Sequence, residues 1–209
     1  MKAKVGLIDY DSGNFSSVCS AFKQQECEVQ IIQSPEHARN CTHIVLPGVG
    51  AFSVAMDKLQ RKGLLDFLRE IIDIGQIPIL GICVGMQILA ENGEEFSFTE
   101  GLGAVSGVVE KFDFADSKHT LHLPHMGWND VIPNTDSRLF KDFDPEDMNF
   151  YFVHSYRMVS HDPFALFSFA DYGERFIAAF EKGNVFGVQF HPEKSQRNGH
   201  LLLKNFIKI

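Results

Sequence analysis

The stretch Gly81-Ile82-Cys83-Val84-Gly85 constrains this chain more than any other. It follows the apolar run Pro78-Ile79-Leu80 and leads into residues with helical patterning. An apolar strand that ends in a glycine-flanked nucleophile and turns straight into a helix has the form of a nucleophile elbow. Glycine on either side suits a turn so tight that a Cβ finds little room. The backbone N–H after the nucleophile, that of Val84, then points where an oxyanion would form. The helix N-terminus favours the thiolate, the reactive form of cysteine. The same five residues also fit a buried structural cysteine in a Gly-rich turn, since free cysteine is among the most buried residue types.

A second segment bears on that choice. Gly187-Val188-Gln189-Phe190-His191-Pro192-Glu193-Lys194-Ser195 offers His191 as a base and Glu193 as the group that orients it. A cysteine nucleophile needs a base to take its proton and pass it to a leaving group, and that base works best when a third group fixes its ring. Proline between the two restricts the backbone, and an alternating strand would set residues two apart on one face. Taken singly, His191 also reads as a surface histidine and Glu193 as a solvated carboxylate.

The pattern along the chain predicts an α/β fold. Strands are expected at 4–9, 28–33, 43–46 and 78–82, with helices at 15–25, 51–61, 64–74 and 84–91. Such alternation argues for a mostly parallel central sheet flanked by helices. The second half is richer in strands, at 104–112, 127–132, 150–153, 166–170, 176–180 and 185–190, before a closing helix at 199–209. Residues 94–100 and 113–120 read as exposed loops. Asp9, Pro47, Cys83 and His191 all fall at carboxyl ends of strands, where open α/β sheets place their sites. No linker interrupts residues 1–209, so one domain is expected.

Composition narrows the function classes. With 19 Lys and Arg against 27 Asp and Glu, the net charge is −8, which argues against nucleic acid as a main partner. No run approaches the ~18 apolar residues of a membrane span, and the N-terminus does not read as a signal peptide. The four cysteines, Cys19, Cys27, Cys41 and Cys83, have no zinc-type spacing, so no metal or cofactor is expected. The chain is expected in the cytoplasm with its thiols reduced, and Cys19, Cys27 and Cys41 as small core hydrophobes.

The elbow through Met86-Gln87, the turn Pro47-Gly48-Val49-Gly50-Ala51-Phe52 and His191-Pro192-Glu193 together resemble the class I glutamine amidotransferases. Pro124-His125-Met126-Gly127-Trp128-Asn129 and Tyr151-Phe152-Val153-His154-Ser155-Tyr156 are closer to the glutaminase subunits of imidazole glycerol phosphate synthase within that class. The likeness runs from Val5 to the C-terminus, with Val84 standing where leucine is expected. It implies a single flavodoxin-like domain that hydrolyses glutamine to glutamate and ammonia, with Cys83, His191 and Glu193 as the catalytic set. It implies an oxyanion hole from Val84 and the Val49-Gly50 turn, whose peptide is free to rotate and so to act as a switch. Glutamine would be held by Gln87, Gly50, His154, Ser155 and Tyr156. The ammonia would pass to a separate (β/α)-barrel cyclase subunit, with Asn14, Trp128 and Lys194 on the partner face. Trp128 fits a core anchor equally well. Two other readings share the chemistry: a paralogous glutaminase serving a sugar amidotransferase in surface-polysaccharide synthesis, and a stand-alone cysteine hydrolase.

Overall fold

The computed structural model describes residues 2–114 and 121–209. Its first part alternates β1 (Ala3–Ile8), α1 (Phe15–Lys23), β2 (Cys27–Ile32), β3 (His43–Gly48), α2 (Phe52–Arg61), α3 (Leu65–Ile74), β4 (Ile79–Cys83) and α4 (Val84–Gln87). Strands then dominate: β5 (Ala90–Gly93), β6 (Thr99–Glu100), β7 (Val105–Lys111), β8 (His125–Asp130), β9 (Asn149–His154), β10 (Tyr156–Val159), β11 (Leu166–Tyr172), β12 (Glu174–Lys182) and β13 (Val185–Val188). Helix α5 (Gln196–Ile207) closes the chain.

Val5, Leu7, Ile44, Val45, Leu46, Ile79, Leu80 and Ile82 have no exposed surface. Near-continuous apolar runs of this kind are what strands covered on both faces require. They build a seven-stranded sheet in the order β11-β12-β13-β4-β3-β1-β2. The five strands from β13 to β2 are parallel, and β12 and β11 add an antiparallel edge. Helices α1, α3 and α5 bury apolar stripes, with Val18 and Phe22 of α1, Leu68 and Ile71 of α3, and Leu202, Leu203 and Phe206 of α5 in the core. The mostly parallel α/β sheet expected from the alternation is therefore present. Cys19, Cys27 and Cys41 are free and buried.

The structure corrects the sequence expectation in three places. The helix expected over 84–91 is a single turn, α4, after which the chain becomes β5. Ala90 pairs with Val105 in a second, four-stranded sheet, β10-β7-β5-β6. Tertiary pairing and burial of Leu89 and Ala90 override the local helical pattern. The loop expected over 94–100 contains β6, which pairs with β5. Strand β10 has no counterpart in the expectation and pairs antiparallel with β7. Of the other expected loop, positions 115–120 lie outside the described residues. Finally, β8 and β9 form a separate two-stranded ribbon with His125 directly opposite His154.

Candidate active site

Cys83 is the last residue of β4 and adopts φ 55°, ψ −111°, a conformation that L residues hold only when their surroundings impose it. The imposing contact is close packing of the α4 turn on β3. A Cβ added at Gly85 would overlap the Leu46 carbonyl oxygen, so only glycine permits this approach. Gly48 at the end of β3 is the register partner of Cys83, which sets the Val49-Gly50 turn beside the thiol. Val84 opens the helical turn, so its N–H has no acceptor within that turn.

His191 reaches this point from β13. Its N–H donates to the Tyr151 carbonyl at 2.9 Å, and its carbonyl accepts from Ser195 Oγ at 2.7 Å. The loop is thereby pinned to β9. His191 Nδ1 lies 2.8 Å from Glu193 Oε1, with both side chains fully buried. A carboxylate only accepts, so Nδ1 carries the hydrogen and Nε2 is left for chemistry. The segment is not the alternating strand expected from the sequence. Pro192–Lys194 is one 3-10 turn, and it curls Glu193 back under the ring. His191 Nε2 has no hydrogen-bond partner within the chain. Burial opposes a charge on this ring, but Cys83 and Glu193 outweigh it and raise the imidazole well above its ordinary value. The ring thus lies between the Cys83 sulfur and a buried carboxylate, both of which favour its charged form.

Asn14 joins this group rather than an open face. It is only 6% exposed and its Nδ2 donates to Glu193 Oε1 at 3.3 Å. The sequence expectation placed Asn14 on the partner surface; in the free chain its side chain is instead turned under the carboxylate. Tyr10 is also buried against the site, and burial together with the Cys83 charge drives its phenol far above the usual value.

A cavity of about 460 Å³ opens over the thiol. Its walls include Cys83, Val84, Val49, Gly50, Gln87, His154, Ser155 and Tyr156, so the structure gathers the expected oxyanion and glutamine-binding residues around one space. Gln87 is 2% exposed and its Nε2 donates to the Tyr156 carbonyl and to Gln189 Oε1, both at 3.0 Å. His154 Nδ1 also donates to the Tyr156 carbonyl, at 2.9 Å. That bond assigns a direction to the next one: His154 Nε2 is left as an acceptor for His125 Nδ1 at 2.9 Å. Both rings are neutral. Burial lowers His125 to about 4 and His154 to about 3. They sit among Phe152, Tyr172 and Phe176, with His125 stacked on Tyr172.

Three site residues escaped the sequence reading. Glu95 lines the cavity and accepts the Phe52 N–H with one carboxylate oxygen at 2.8 Å, while burial raises its value. It lay in a stretch that read as a solvated loop, and an acidic pair there carries no signal. Gln189 and His125 lie inside motifs that were recognised, but only the structure reveals their contacts.

The ribbon also carries a surface patch. Along β8, His125 points inward while Met126 and Trp128 are 61% and 47% exposed. Trp128 packs edge-on against Tyr151, and Lys194 Nζ sits 5.7 Å from the Tyr151 ring centroid. Trp128 is therefore not a core anchor. Among the described residues no cluster of His, Cys, Asp and Glu is placed to hold a metal ion, and no helix is long and apolar enough to cross a membrane.

Comparison with known proteins agrees with this geometry. The family model described as glutamine amidotransferase class-I matches residues 6–209. A protein of Leptospira interrogans named imidazole glycerol phosphate synthase subunit HisH is 41% identical over 98% of this chain and 100% of its own length. One of Campylobacter jejuni named imidazole glycerol phosphate synthase subunit HisH 1 is 40% identical over the same shares. Among solved structures, PurLQS from Thermotoga maritima superposes with a TM-score of 0.74 at 20% identity, over 100% of this chain and 99% of that one; this likeness speaks for the fold alone. Elbow, buried His–Glu pair and full-length matches point the same way: the chain belongs to the class I glutamine amidotransferase family.

Proposed function

We propose that the chain is the glutaminase subunit of an imidazole glycerol phosphate synthase, hydrolysing glutamine and passing the ammonia to a separate (β/α)-barrel cyclase subunit. The observation that carries the chemistry is the buried His191–Glu193 pair beside Cys83 at the end of β4. The choice of pathway is supported by relatives of about 40% identity that cover the chain almost end to end and carry that name.

In this reading the Cys83 thiolate attacks the carboxamide carbon, and the developing oxyanion accepts hydrogen bonds from the N–H groups of Val84 and of the Val49-Gly50 turn. The His191 imidazolium gives its Nε2 proton to the departing nitrogen, leaving a thioester and ammonia. The neutral ring then takes a proton from water, whose hydroxide attacks the thioester and releases glutamate. Glu193 holds the ring through Nδ1 during both steps. Gln87, Ser155 and Tyr156 form the wall that grips the backbone end of the substrate, and the Glu95 carboxylate complements an α-ammonium. Ammonia released into neutral water is largely protonated and loses its nucleophilicity, so a synthase subunit must dock over the site. Trp128, Tyr151 and Lys194 supply an aromatic and cationic patch suited to that contact.

The test is glutamate release from glutamine by the purified chain, alone and with a histidine-pathway cyclase subunit and its nucleotide ligand. Strong stimulation that disappears in Cys83→Ala is expected. Absence of stimulation would transfer the chain to a different synthase partner, and full activity of the chain alone would make it a free-standing hydrolase.

A further inference from the structure

Gln189 has no exposed surface and sits directly after β13, two residues before the base. Its backbone is fixed by an N–H bond to the Ala178 carbonyl at 2.8 Å. Its side chain lies between two groups of the site. Oε1 accepts from Gln87 Nε2 at 3.0 Å, and Nε2 lies 3.8 Å from Cys83 Sγ.

The orientation of this amide follows from its neighbours. The Tyr156 carbonyl can only accept, so the Gln87 atom that faces it is nitrogen. The same nitrogen faces Gln189, so the Gln189 atom that meets it is oxygen. The other end of the Gln189 amide, its NH2, must then face the sulfur. No free rotation remains, because turning either amide would set nitrogen against nitrogen or oxygen against a carbonyl in a buried place.

The sulfur is therefore flanked by two opposed groups. The Val153 carbonyl lies 3.9 Å away and accepts the thiol proton, which favours the neutral form. The Gln189 N–H donates, which favours the thiolate. His191 also faces the sulfur and, when charged, favours the thiolate, while the buried Tyr10 phenol stays neutral beside it; Gln189 is the neutral donor that adds to the His191 charge against the fixed carbonyl. We infer that Gln189 is a further catalytic residue, a fixed hydrogen-bond donor that holds the Cys83 sulfur as thiolate and is itself oriented by Gln87 and the Tyr156 carbonyl. This rests on the reading of Cys83 as the nucleophile. It also gives Gln87 a second role, since one side chain both lines the glutamine pocket and orients the group that prepares the attack.

The test reads the sulfur directly. Alkylation of Cys83 by iodoacetamide is followed by mass spectrometry as a function of pH in the folded full-length chain. Gln189→Glu keeps the acceptor for Gln87 but replaces the donor with an oxygen. Gln189→Met removes both at nearly the same length. Both variants are expected to slow alkylation of Cys83 at pH 7 by about tenfold or more, as loss of a hydrogen bond to a charged group implies, with the profile displaced to higher pH. The carboxylate of Gln189→Glu also repels a thiolate, so the neutral Gln189→Met decides: a purely structural Gln189 would lower the stability of that variant but leave its alkylation profile at the wild-type pH. Should Gln189→Met fail to fold, Gln189→Leu, equally neutral, takes its place; a folded neutral variant whose Cys83 reacts within twofold of wild type overturns the assignment. Alkylation requires neither glutamine nor a partner. A wild-type chain that reacts fast but never releases glutamate would therefore refute the proposed function while leaving the donor assignment standing.

Discussion

Asn14 offers a sharp test, because its burial and its sequence motif point to different roles. Its Nδ2 donates to Glu193 Oε1 at 3.3 Å, a rather long bond to a buried carboxylate. Removing it in Asn14→Ala forfeits about 1 kcal/mol, or roughly a fivefold loss in kcat/KM for glutamine. The carboxylate it supports keeps its bond to His191, so the loss stays modest. Asn14→Asp is far harsher. Two carboxylates at this separation repel by ~5 kcal/mol at an effective dielectric of about 20. One of them then takes up a proton at neutral pH, and if that is Glu193 the His191 ring loses the charge that orients it. A loss of about a hundredfold or more follows in Asn14→Asp, against the roughly fivefold loss in Asn14→Ala. The assay is steady-state glutaminase activity with saturating cyclase partner, beside partner affinity measured calorimetrically. Both variants should bind the partner within twofold of wild type. A tenfold weaker partner affinity in Asn14→Ala, with unchanged kcat/KM at saturation, would return Asn14 to the partner face and refute the reasoning.

Two further outcomes are expected. His125 and His154 are held neutral with values near 4 and 3, below an unfolded value near 6.5. The unfolded chain therefore binds more protons below pH 6.5, and stability falls as the pH drops from there toward 4, by about 2 kcal/mol per histidine at pH 5; urea midpoints at pH 7.5 and pH 5 measure this, and equal midpoints would contradict it. Trp128→Ala should weaken binding of the cyclase subunit by about tenfold or more while leaving urea stability within about 0.5 kcal/mol, since the indole is half exposed on the free chain; unchanged affinity by calorimetry would remove Trp128 from the interface.

That Cys83, His191 and Glu193 come together was legible because each lies in a short motif whose spacing and residue types serve one chemistry. The parallel sheet was legible from apolar runs such as Ile44 to Leu46 and Ile79 to Ile82, which need cover on both faces. The limits of α4 were not, because Ile88 to Glu91 continue a helical pattern locally, and only pairing of Ala90 to Gly93 with β7 draws the chain out of the helix into a strand. Strand β10 was hidden for the same reason. Glu95 and Gln189 were invisible as site residues because their roles depend on which atoms face them across the fold, such as Phe52 N–H and Cys83 Sγ. The turn at Pro192–Lys194 shows the converse: the sequence pointed to the right pair of side chains by way of the wrong local geometry.

Strand β9 has a consequence for how this chain can vary. Its odd-numbered residues give Tyr151 to the surface patch, and the Val153 carbonyl to the nucleophile. Its even-numbered residues, Phe150, Phe152 and His154, fill the interior. The Tyr151 carbonyl meanwhile tethers the base. One inserted or deleted residue would exchange the two faces, sending phenylalanines into water and a tyrosine into the core, and would move the tether off His191 in the same stroke. Length variation among relatives should therefore collect outside 149–156; within that span substitutions are tolerated one at a time but indels are not.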